Sequence, residues 1–220
     1  MVPLAEALAQ DGYTVHVARL AGHGTSPEDL AATSWDDWVA SAREAYRTLR
    51  SRCAAVALVG LSMGGAIALH LAATERPDAV VVMATPIRLR PVLRRLARAV
   101  RPVLPYVPVV VRVGPRGSDA LPYRVSYARI PLSAAQDLAS LLERTRELLP
   151  QVQAPLLVAQ GRRDFVIPRE SADEIAGGVG SRVRRLVWLP RSRHVVTLDR
   201  DRAQLFGAVR AFLAEHLGAA

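Results

Sequence analysis

Two continuous apolar runs, residues 55–61 and 79–85, constrain the fold of this 220-residue chain more than any other feature. A strand that is apolar along its whole length is typical of a parallel sheet with helices on both faces. Residues 64–74, between the two runs, have a helical pattern, and the same alternation resumes after Pro155. The sequence therefore predicts an α/β fold with a mostly parallel sheet and flanking helices.

The other predicted elements continue this alternation along the chain. Helices are predicted around Leu4 and Leu8 and at residues 35–50, 137–149, 170–176 and 203–217, and strands at residues 13–18, 156–160 and 185–189. Ser34 and Asp37 have the spacing of a capping box at the start of one helix. Residues 21–33 contain two glycines and a proline and predict a loop.

The alternation stops at Pro86 and resumes near Pro155, which indicates an insert at about residues 86–150 of a single domain spanning residues 1–220. Part of the insert predicts an amphipathic helix with an arginine-rich face. The apolar stripe consists of Leu89, Leu93, Leu96 and Val100, and the basic face of Arg90, Arg94, Arg98 and Arg101. Two interpretations stay open: a solvated helix that covers a pocket, or a helix that lies on a membrane surface or an acidic partner.

The net charge of +9 suggests nucleic-acid binding until the basic residues are read individually, because all 29 are arginine and none is lysine. Aromatic residues that could stack on bases make up only 5% of the chain, so no nucleic-acid partner is expected. Cys53 is the only cysteine, which excludes an internal disulfide and a thiolate metal cage. No metal or cofactor site is predicted, since no His, Asp or Glu cluster has ligand spacing. The first ten residues lack a secretory pattern and no apolar stretch approaches the ~20 residues of a membrane span, so a cytoplasmic location is expected.

Residues 60–64 read G-L-S-M-G, a G-x-S-x-G pattern between a buried strand and a helix of small residues. A nucleophile on such a turn needs glycine neighbours, because larger side chains would clash with the strand and the helix. The helix that follows directs its N-terminal amides at a developing oxyanion. Ser62 is therefore the predicted nucleophile, and the alternative is a glycine-rich turn required only by close helix–sheet packing.

A serine hydroxyl is a weak nucleophile, so Ser62 needs a base and an acid that orients the base. On strand–turn–helix sites of this kind the chain order is Ser, then Asp or Glu, then His. Asp164 comes just after the predicted strand at 156–160, where open parallel sheets place their catalytic groups. His194 follows the last strand after a short loop. Asp164 is the predicted acid and His194 the predicted base.

The other titratable candidates are less suited to these roles. His16 lies in a predicted strand, where its side chain is expected to pack in the interior. His70 lies two helical turns beyond the nucleophile, at the wrong end of its helix, and His216 is near the C-terminus. Asp199 and Asp201 are interpreted as turn and helix-cap residues.

In these residues the sequence resembles the α/β-hydrolases, in particular bacterial carboxylesterases of the monoacylglycerol-lipase-like group. The resemblance spans nearly the whole chain and is weakest at residues 88–133; it rests on residues 22–30, 35–38, 60–65, 155–168 and 192–199. It implies that Ser62, Asp164 and His194 form the catalytic triad and that the backbone N–H of Met63 is one oxyanion donor. It also implies that the insert is a helical cap over an acyl pocket.

The resemblance includes one departure at the N-terminus. Family members begin with further strands, the last of which ends in His-Gly and an apolar residue whose amide is the second oxyanion donor. This chain begins at the helix after that loop, so it is expected to be N-terminally truncated and to lack the second donor. A family strand between those matching residues 13–18 and 55–61 would also be missing, which predicts a gap or a changed pairing in the sheet. An exposed sheet edge favours aggregation or pairing with a second copy, so low activity is expected together with either aggregation or a homodimer.

The predicted function is that of a serine hydrolase acting on carboxylic esters through an acyl-enzyme intermediate. Short- to medium-chain acyl esters or monoacylglycerols are the expected small-molecule substrates, and weak contact of the arginine-rich helix with a membrane surface is a further expectation. Two alternatives stay open. One is a non-catalytic or impaired binding module with the same fold, and the other is a different hydrolase reaction, such as hydrolysis of thioesters or carbon–carbon bonds.

Overall fold

The computed structural model describes residues 1–89, 103–109 and 127–218. Its helices are α1 (Val2–Gln10), α2 (Pro27–Ala31), α3 (Trp35–Arg50), α4 (Met63–Glu75), α5 (Leu132–Leu148), α6 (Glu170–Gly178) and α7 (Arg202–Leu217). Its strands are β1 (Ala57–Leu61), β2 (Ala79–Met83), β3 (Tyr106–Pro108), β4 (Arg129–Pro131), β5 (Leu156–Gly161) and β6 (Arg184–Leu189). Short 3-10 turns lie at Leu149–Gln151 and Val196–Leu198.

The central sheet has four parallel strands in the order β1-β2-β5-β6. Along one row of the sheet, Gly60 lies opposite Val82, and Val82 lies opposite Val158. Every residue of β2 and β5 is buried, which is why β2 is apolar along its whole length and β5 is apolar over its first four residues. Because the strands are parallel, their carboxyl ends share one edge of the sheet, where the loops after β1, β5 and β6 can meet.

Helices cover both faces of this sheet, as the sequence predicts. On one face, α1 and α7 pack against the strands through residues such as Leu8 and Phe212. On the other face, α4 and α6 contribute Leu69 and Ile175 to a second buried cluster. A third cluster joins α3, α4 and α5 outside the sheet. The parallel sheet with helices on both faces that the sequence predicts is therefore confirmed.

The predicted strand at residues 13–18 is wrong. These residues have no regular secondary structure, because no strand within the described residues is hydrogen-bonded beside them. Val15 and Val17 are 37% and 52% exposed, and β1 pairs only with β2 within the same described residues. The gap expected at this edge of the sheet is thus present in the described part of the chain. Pairing of two copies through the edge stays a prediction.

The loop predicted at residues 21–33 contains a short helix, α2. Ser26 precedes it, and its hydroxyl oxygen accepts a hydrogen bond from the Asp29 amide at 3.0 Å. Pro27 occupies the first helical position, where its missing N–H leaves no donor unsatisfied. The Ser-Pro pair is the signal that the loop interpretation overlooked.

The segment between β2 and β5 contains an antiparallel pair, β3 with β4, followed by α5. The helix predicted at 137–149 begins earlier, at Leu132, directly after β4. The predicted arginine-rich helix falls on residues 89–101, all of which except the non-helical Leu89 lie outside the described residues. No helix found in residues 1–89, 103–109 or 127–218 has the length and apolar character needed to cross a bilayer.

Candidate active site

Ser62 lies on the sharp turn between β1 and α4. Its φ is +55° and its ψ is −122°, a combination that residues with a side chain rarely adopt. The turn is fixed by two hydrogen bonds: the Ser62 amide donates to the Met83 carbonyl at 2.8 Å, and the Ser62 carbonyl accepts from the Gly65 amide at 2.9 Å. A Cβ atom on Gly60 would lie 2.2 Å from the Gly64 carbonyl oxygen, so the strand can approach the helix only with glycine at position 60.

The backbone strain at this turn predicts a difference in stability between two inactive variants. Ser62→Gly is expected to be more stable than Ser62→Ala by about 1 kcal/mol, because glycine adopts a positive φ without a Cβ clash and alanine does not. Both variants lack the Ser62 hydroxyl, so the difference between their free energies of unfolding reports the backbone strain at position 62. Urea unfolding measures the difference, and an alanine variant as stable as the glycine variant would contradict the strain.

His194 lies between Ser62 and Asp164 and is hydrogen-bonded to both. Its Nε2 is 3.0 Å from the Ser62 Oγ, and its Nδ1 is 2.9 Å from the Asp164 Oδ2. The His194 side chain is 9% exposed and the Asp164 side chain is fully buried. Because an ionised carboxylate only accepts hydrogen bonds, Nδ1 carries the proton and Nε2 is left to accept from the serine hydroxyl. The structure thus brings together the three residues predicted from the sequence.

The Asp164 carboxylate accepts hydrogen bonds on both oxygens. The amides of Val166 and Ile167 donate to Oδ1 at 2.8 and 3.0 Å, and Gln160 Nε2 donates to Oδ2 at 3.0 Å, beside His194. Burial is the largest single influence and raises the pKa of Asp164, but the hydrogen bonds from His194, Ile167 and Val166 together outweigh it. The pKa of Asp164 therefore lies below its ordinary value, and the group is ionised at neutral pH.

This lowered pKa predicts how stability depends on pH. The folded protein keeps Asp164 ionised to a lower pH than the unfolded chain does, so the stabilisation is complete above the unfolded pKa of about 3.9. This stabilisation is lost as the pH falls through the lower pKa that Asp164 has in the folded protein. The difference in free energy of unfolding between the wild type and Asp164→Asn is therefore expected to shrink between about pH 6 and pH 3. Urea unfolding at both pH values measures it, and a difference that grows at acid pH would contradict the lowered pKa.

The loops that carry Asp164 and His194 lie side by side. The Arg163 amide donates to the Ser192 carbonyl at 3.0 Å. A Cβ atom on Gly161 would lie 2.4 Å from the Arg193 carbonyl oxygen, so this close contact requires glycine at the end of β5. The neighbouring strands β5 and β6 therefore fix the distance between the acid and the base.

Two carboxylates hold the loop that carries the histidine. Asp201, buried to 2% exposure, accepts from the Arg191 amide at 2.7 Å and from the Ser192 hydroxyl at 2.9 Å. Asp199 accepts from the Arg193 amide at 2.7 Å. Asp201 does occupy the N-cap position of α7, but its side chain binds the loop instead of capping the helix. The interpretation of these residues as turn and cap residues missed this role, for which the sequence carries no signal.

Met63 is the first residue of α4, next to the serine. Amides in the first turn of a helix have no acceptor within the helix, and they lie at the positive end of its dipole. The Met63 N–H is thus available to bind a negative oxygen near the Ser62 Oγ. Its assignment as an oxyanion donor is part of the function proposed below.

The remaining histidines lie elsewhere. His16 is exposed in the irregular segment at 13–20, so the expectation that it packs in the interior is wrong. His70 is buried on α4 with its ring edge against Trp35, and burial, followed by the charges of two nearby arginines, lowers its pKa. His216 packs against Phe212. In the part of the chain that the structure describes, no group of three or more His, Cys, Asp or Glu side chains could hold a metal ion.

Relatives of known sequence span almost the whole chain. A thermostable monoacylglycerol lipase of Bacillus sp. (strain H-257) is 34% identical over 218 residues, which cover 99% of this chain and 86% of the relative. A carboxylesterase of Bacillus subtilis (strain 168) is 28% identical over 208 residues, 94% of this chain and 83% of the relative.

Solved structures also match almost the whole chain. A structure from work on LipS and LipT, two metagenome-derived lipolytic enzymes, superposes with a TM-score of 0.90 at 34% identity and covers 98% of this chain and 88% of that chain. The monoacylglycerol lipase of Paleococcus ferrophilus, at 18% identity, shares the fold with a TM-score of 0.80. The match covers 97% of this chain and 88% of that chain. The sequence profile of the family described as "Serine aminopeptidase, S33" matches residues 1–201. With the profile matching nearly the full length, the chain belongs to this family of α/β-hydrolases.

Proposed function

We propose that the protein is a serine hydrolase that cleaves carboxylic esters through an acyl-enzyme intermediate. The observation that carries the proposal is the hydrogen-bonded series Ser62–His194–Asp164, with distances of 3.0 and 2.9 Å. A serine on a strained turn, a base within hydrogen-bond reach and a buried carboxylate behind the base are the groups that acyl transfer needs. The names of the relatives, a lipase and a carboxylesterase, support an ester as the substrate.

The proposed reaction assigns a role to Ser62, His194, Asp164 and the Met63 amide in turn. The Ser62 Oγ attacks the acyl carbonyl carbon while His194 Nε2 takes the hydroxyl proton, and the Met63 amide donates to the oxyanion. His194 then gives that proton to the leaving alcohol, and the acyl group stays on Ser62. Water attacks the acyl-enzyme with His194 again as the base, which releases the acid and restores the serine. Asp164 stabilises the imidazolium in both steps.

The segment between β2 and β5 is the proposed cap over the acyl chain. It is joined to the loop before α2 by the Tyr127 hydroxyl, which donates to the Gly22 carbonyl at 2.8 Å and accepts from the Thr25 amide at 2.9 Å. An ion pair between Arg129 and Glu28 adds a second contact. Short- to medium-chain acyl esters or monoacylglycerols are the proposed substrates, and the name of the monoacylglycerol lipase relative supports this substrate class.

The proposed setting is the cytoplasm, with a small ester as the partner and no nucleic acid. The single cysteine, Cys53, supports the cytoplasmic location. The low aromatic content supports the absence of a nucleic-acid partner. Weak contact between a membrane surface and the arginine-rich segment at 90–101 stays a prediction, because that segment lies outside the described residues.

A comparison of substrates tests the proposal against its alternatives. Rates are measured for p-nitrophenyl butyrate, a medium-chain monoacylglycerol, an acyl thioester and an aminoacyl p-nitroanilide, with the Ser62→Ala variant as the blank. The esters are expected to have the highest kcat/KM, all of it lost in Ser62→Ala. Turnover of the anilide or the thioester with esters at the blank rate would favour another reaction on the same triad. No turnover of any of these substrates would favour a binding module or hydrolysis of carbon–carbon bonds.

A further inference from the structure

Gln160 is a buried glutamine at the end of β5, four residues before Asp164. It is 1% exposed, and the four strand residues that precede it are buried and apolar. A buried side-chain amide costs free energy unless it is hydrogen-bonded. Its Nε2 donates to the Asp164 Oδ2 at 3.0 Å, so the contact that offsets this cost is made to the carboxylate of the triad.

The donors to this carboxylate differ in kind. Both donors to Oδ1 are backbone amides, of residues 166 and 167, which any side chain at those positions would supply. Both donors to Oδ2 are side chains, those of His194 and Gln160. Within the described residues, Gln160 is thus the only side chain other than His194 that binds the carboxylate. With two donors on each oxygen, the carboxylate plane is fixed from both sides.

We propose that Gln160 is a positioning residue of the triad, which holds the Asp164 carboxylate with Oδ2 towards the Nδ1–H of His194. The inference rests on the function proposed above, because ester hydrolysis is the reaction in which Gln160 would act. Gln160 lies behind the acid, bonded to neither Ser62 nor the His194 ring, and acts only through Asp164. Removing its donor leaves His194 as the one remaining side-chain partner of Oδ2 among the described residues, while the two amides still bind Oδ1, so the carboxylate is held less firmly on the side that faces His194.

The first test replaces the amide with an apolar side chain of similar length. Gln160→Met is expected to lower kcat for ester hydrolysis about tenfold with KM little changed, since one hydrogen bond to a charged group is lost. Gln204→Met is the matched control, because Gln204 donates to the Trp188 carbonyl at 3.4 Å on the exposed surface. In an Asp164→Ala background, Gln160→Met is expected to have no further effect, as a residue that acts through Asp164 must.

The second test uses pH. Gln160→Glu places a carboxyl group beside Asp164, where it can donate a hydrogen bond only while protonated. The ratio of its kcat to that of the wild type is therefore expected to fall as the pH rises and the two carboxylates repel each other. At low pH the introduced carboxyl group is protonated and can donate to Asp164 as the amide does, so kcat of Gln160→Glu is expected to exceed that of Gln160→Met there. A side chain that only fills space would give the two variants the same kcat at low pH.

The third test does not depend on ester turnover. In ¹³C NMR titrations of aspartate-labelled protein, Gln160→Met is expected to raise the pKa of Asp164, whereas Gln204→Met leaves it unchanged. An unchanged titration, or an equal loss of kcat with and without Asp164, would overturn the role of Gln160. A wild type that fails on every ester would overturn the proposed function instead, and the titration would still decide the inference.

Discussion

His194→Ala is expected to lower kcat for ester hydrolysis as far as Ser62→Ala does, by about 10⁵- to 10⁶-fold, because triad members act as a unit. Without the base, the Ser62 hydroxyl has no acceptor for its proton, and without the serine the base has nothing to activate. The double variant is therefore expected to be no slower than either single variant. Steady-state kinetics with p-nitrophenyl butyrate measures all three. Losses that multiply in the double variant would show that the two residues act independently.

Two other histidines serve as controls for this prediction. His23→Ala is expected to keep kcat close to that of the wild type, because the ring lies against Trp38 and its Nδ1 lies 2.9 Å from the Ala21 carbonyl oxygen. His70→Ala is expected to do the same once kcat is expressed per folded molecule, since His70 is buried. A large kcat loss in either control would indicate a different base.

Asp164→Asn is expected to lower kcat by about 10⁴-fold while leaving the fold intact. The asparagine side chain keeps the shape of the acid, but its amide group favours the wrong tautomer of His194 and cannot stabilise the imidazolium. Steady-state kinetics with the same ester measures the loss.

Asp199→Asn is the matched control for that variant. Asp199 accepts from the Arg193 amide, and an asparagine oxygen can accept the same bond, so the loss of kcat is expected to be far smaller. If Asp164→Asn were nearly as active as the wild type, another carboxylate would have to orient the base.

The triad could be predicted because a parallel sheet restricts where loops can meet. Continuous apolar runs identified the buried strands, and Ser62, Asp164 and His194 each follow a strand at its carboxyl end. Three residues in the right chain order at one edge of a sheet leave few other arrangements. Local sequence and topology were therefore sufficient to predict that these three side chains meet, and their catalytic roles belong to the proposed function.

The segment at residues 13–18 could not be assigned correctly from its own residues. Its composition favours a strand, but a strand exists only when a neighbour is hydrogen-bonded to it, and strand pairing is not written in a local pattern. No such neighbour is present within the described residues. The wrong strand prediction at residues 13–18 therefore has a tertiary cause. The missed helix α2 differs, because its Ser-Pro signal was visible in the local sequence.

The supporting contacts of the site were beyond sequence reasoning for a related reason. Gln160 lies four residues from Asp164 and Asp201 lies nine residues from Ser192, and each pair meets only because the chain between the two residues folds back. The position of Gln160 in a buried strand indicates only that its amide must find a partner. Which partner it finds depends on the turn after β5.

Covalent labelling tests the central claim, that Ser62 is an activated nucleophile, most directly. A fluorophosphonate probe phosphonylates a serine only when a neighbouring base takes its proton, and mass spectrometry of the digested protein locates the adduct. The structure predicts a single adduct on Ser62 in the wild type, none in Ser62→Ala, and strongly slowed labelling in His194→Ala. An adduct on another residue, or labelling that survives Ser62→Ala, would contradict the account.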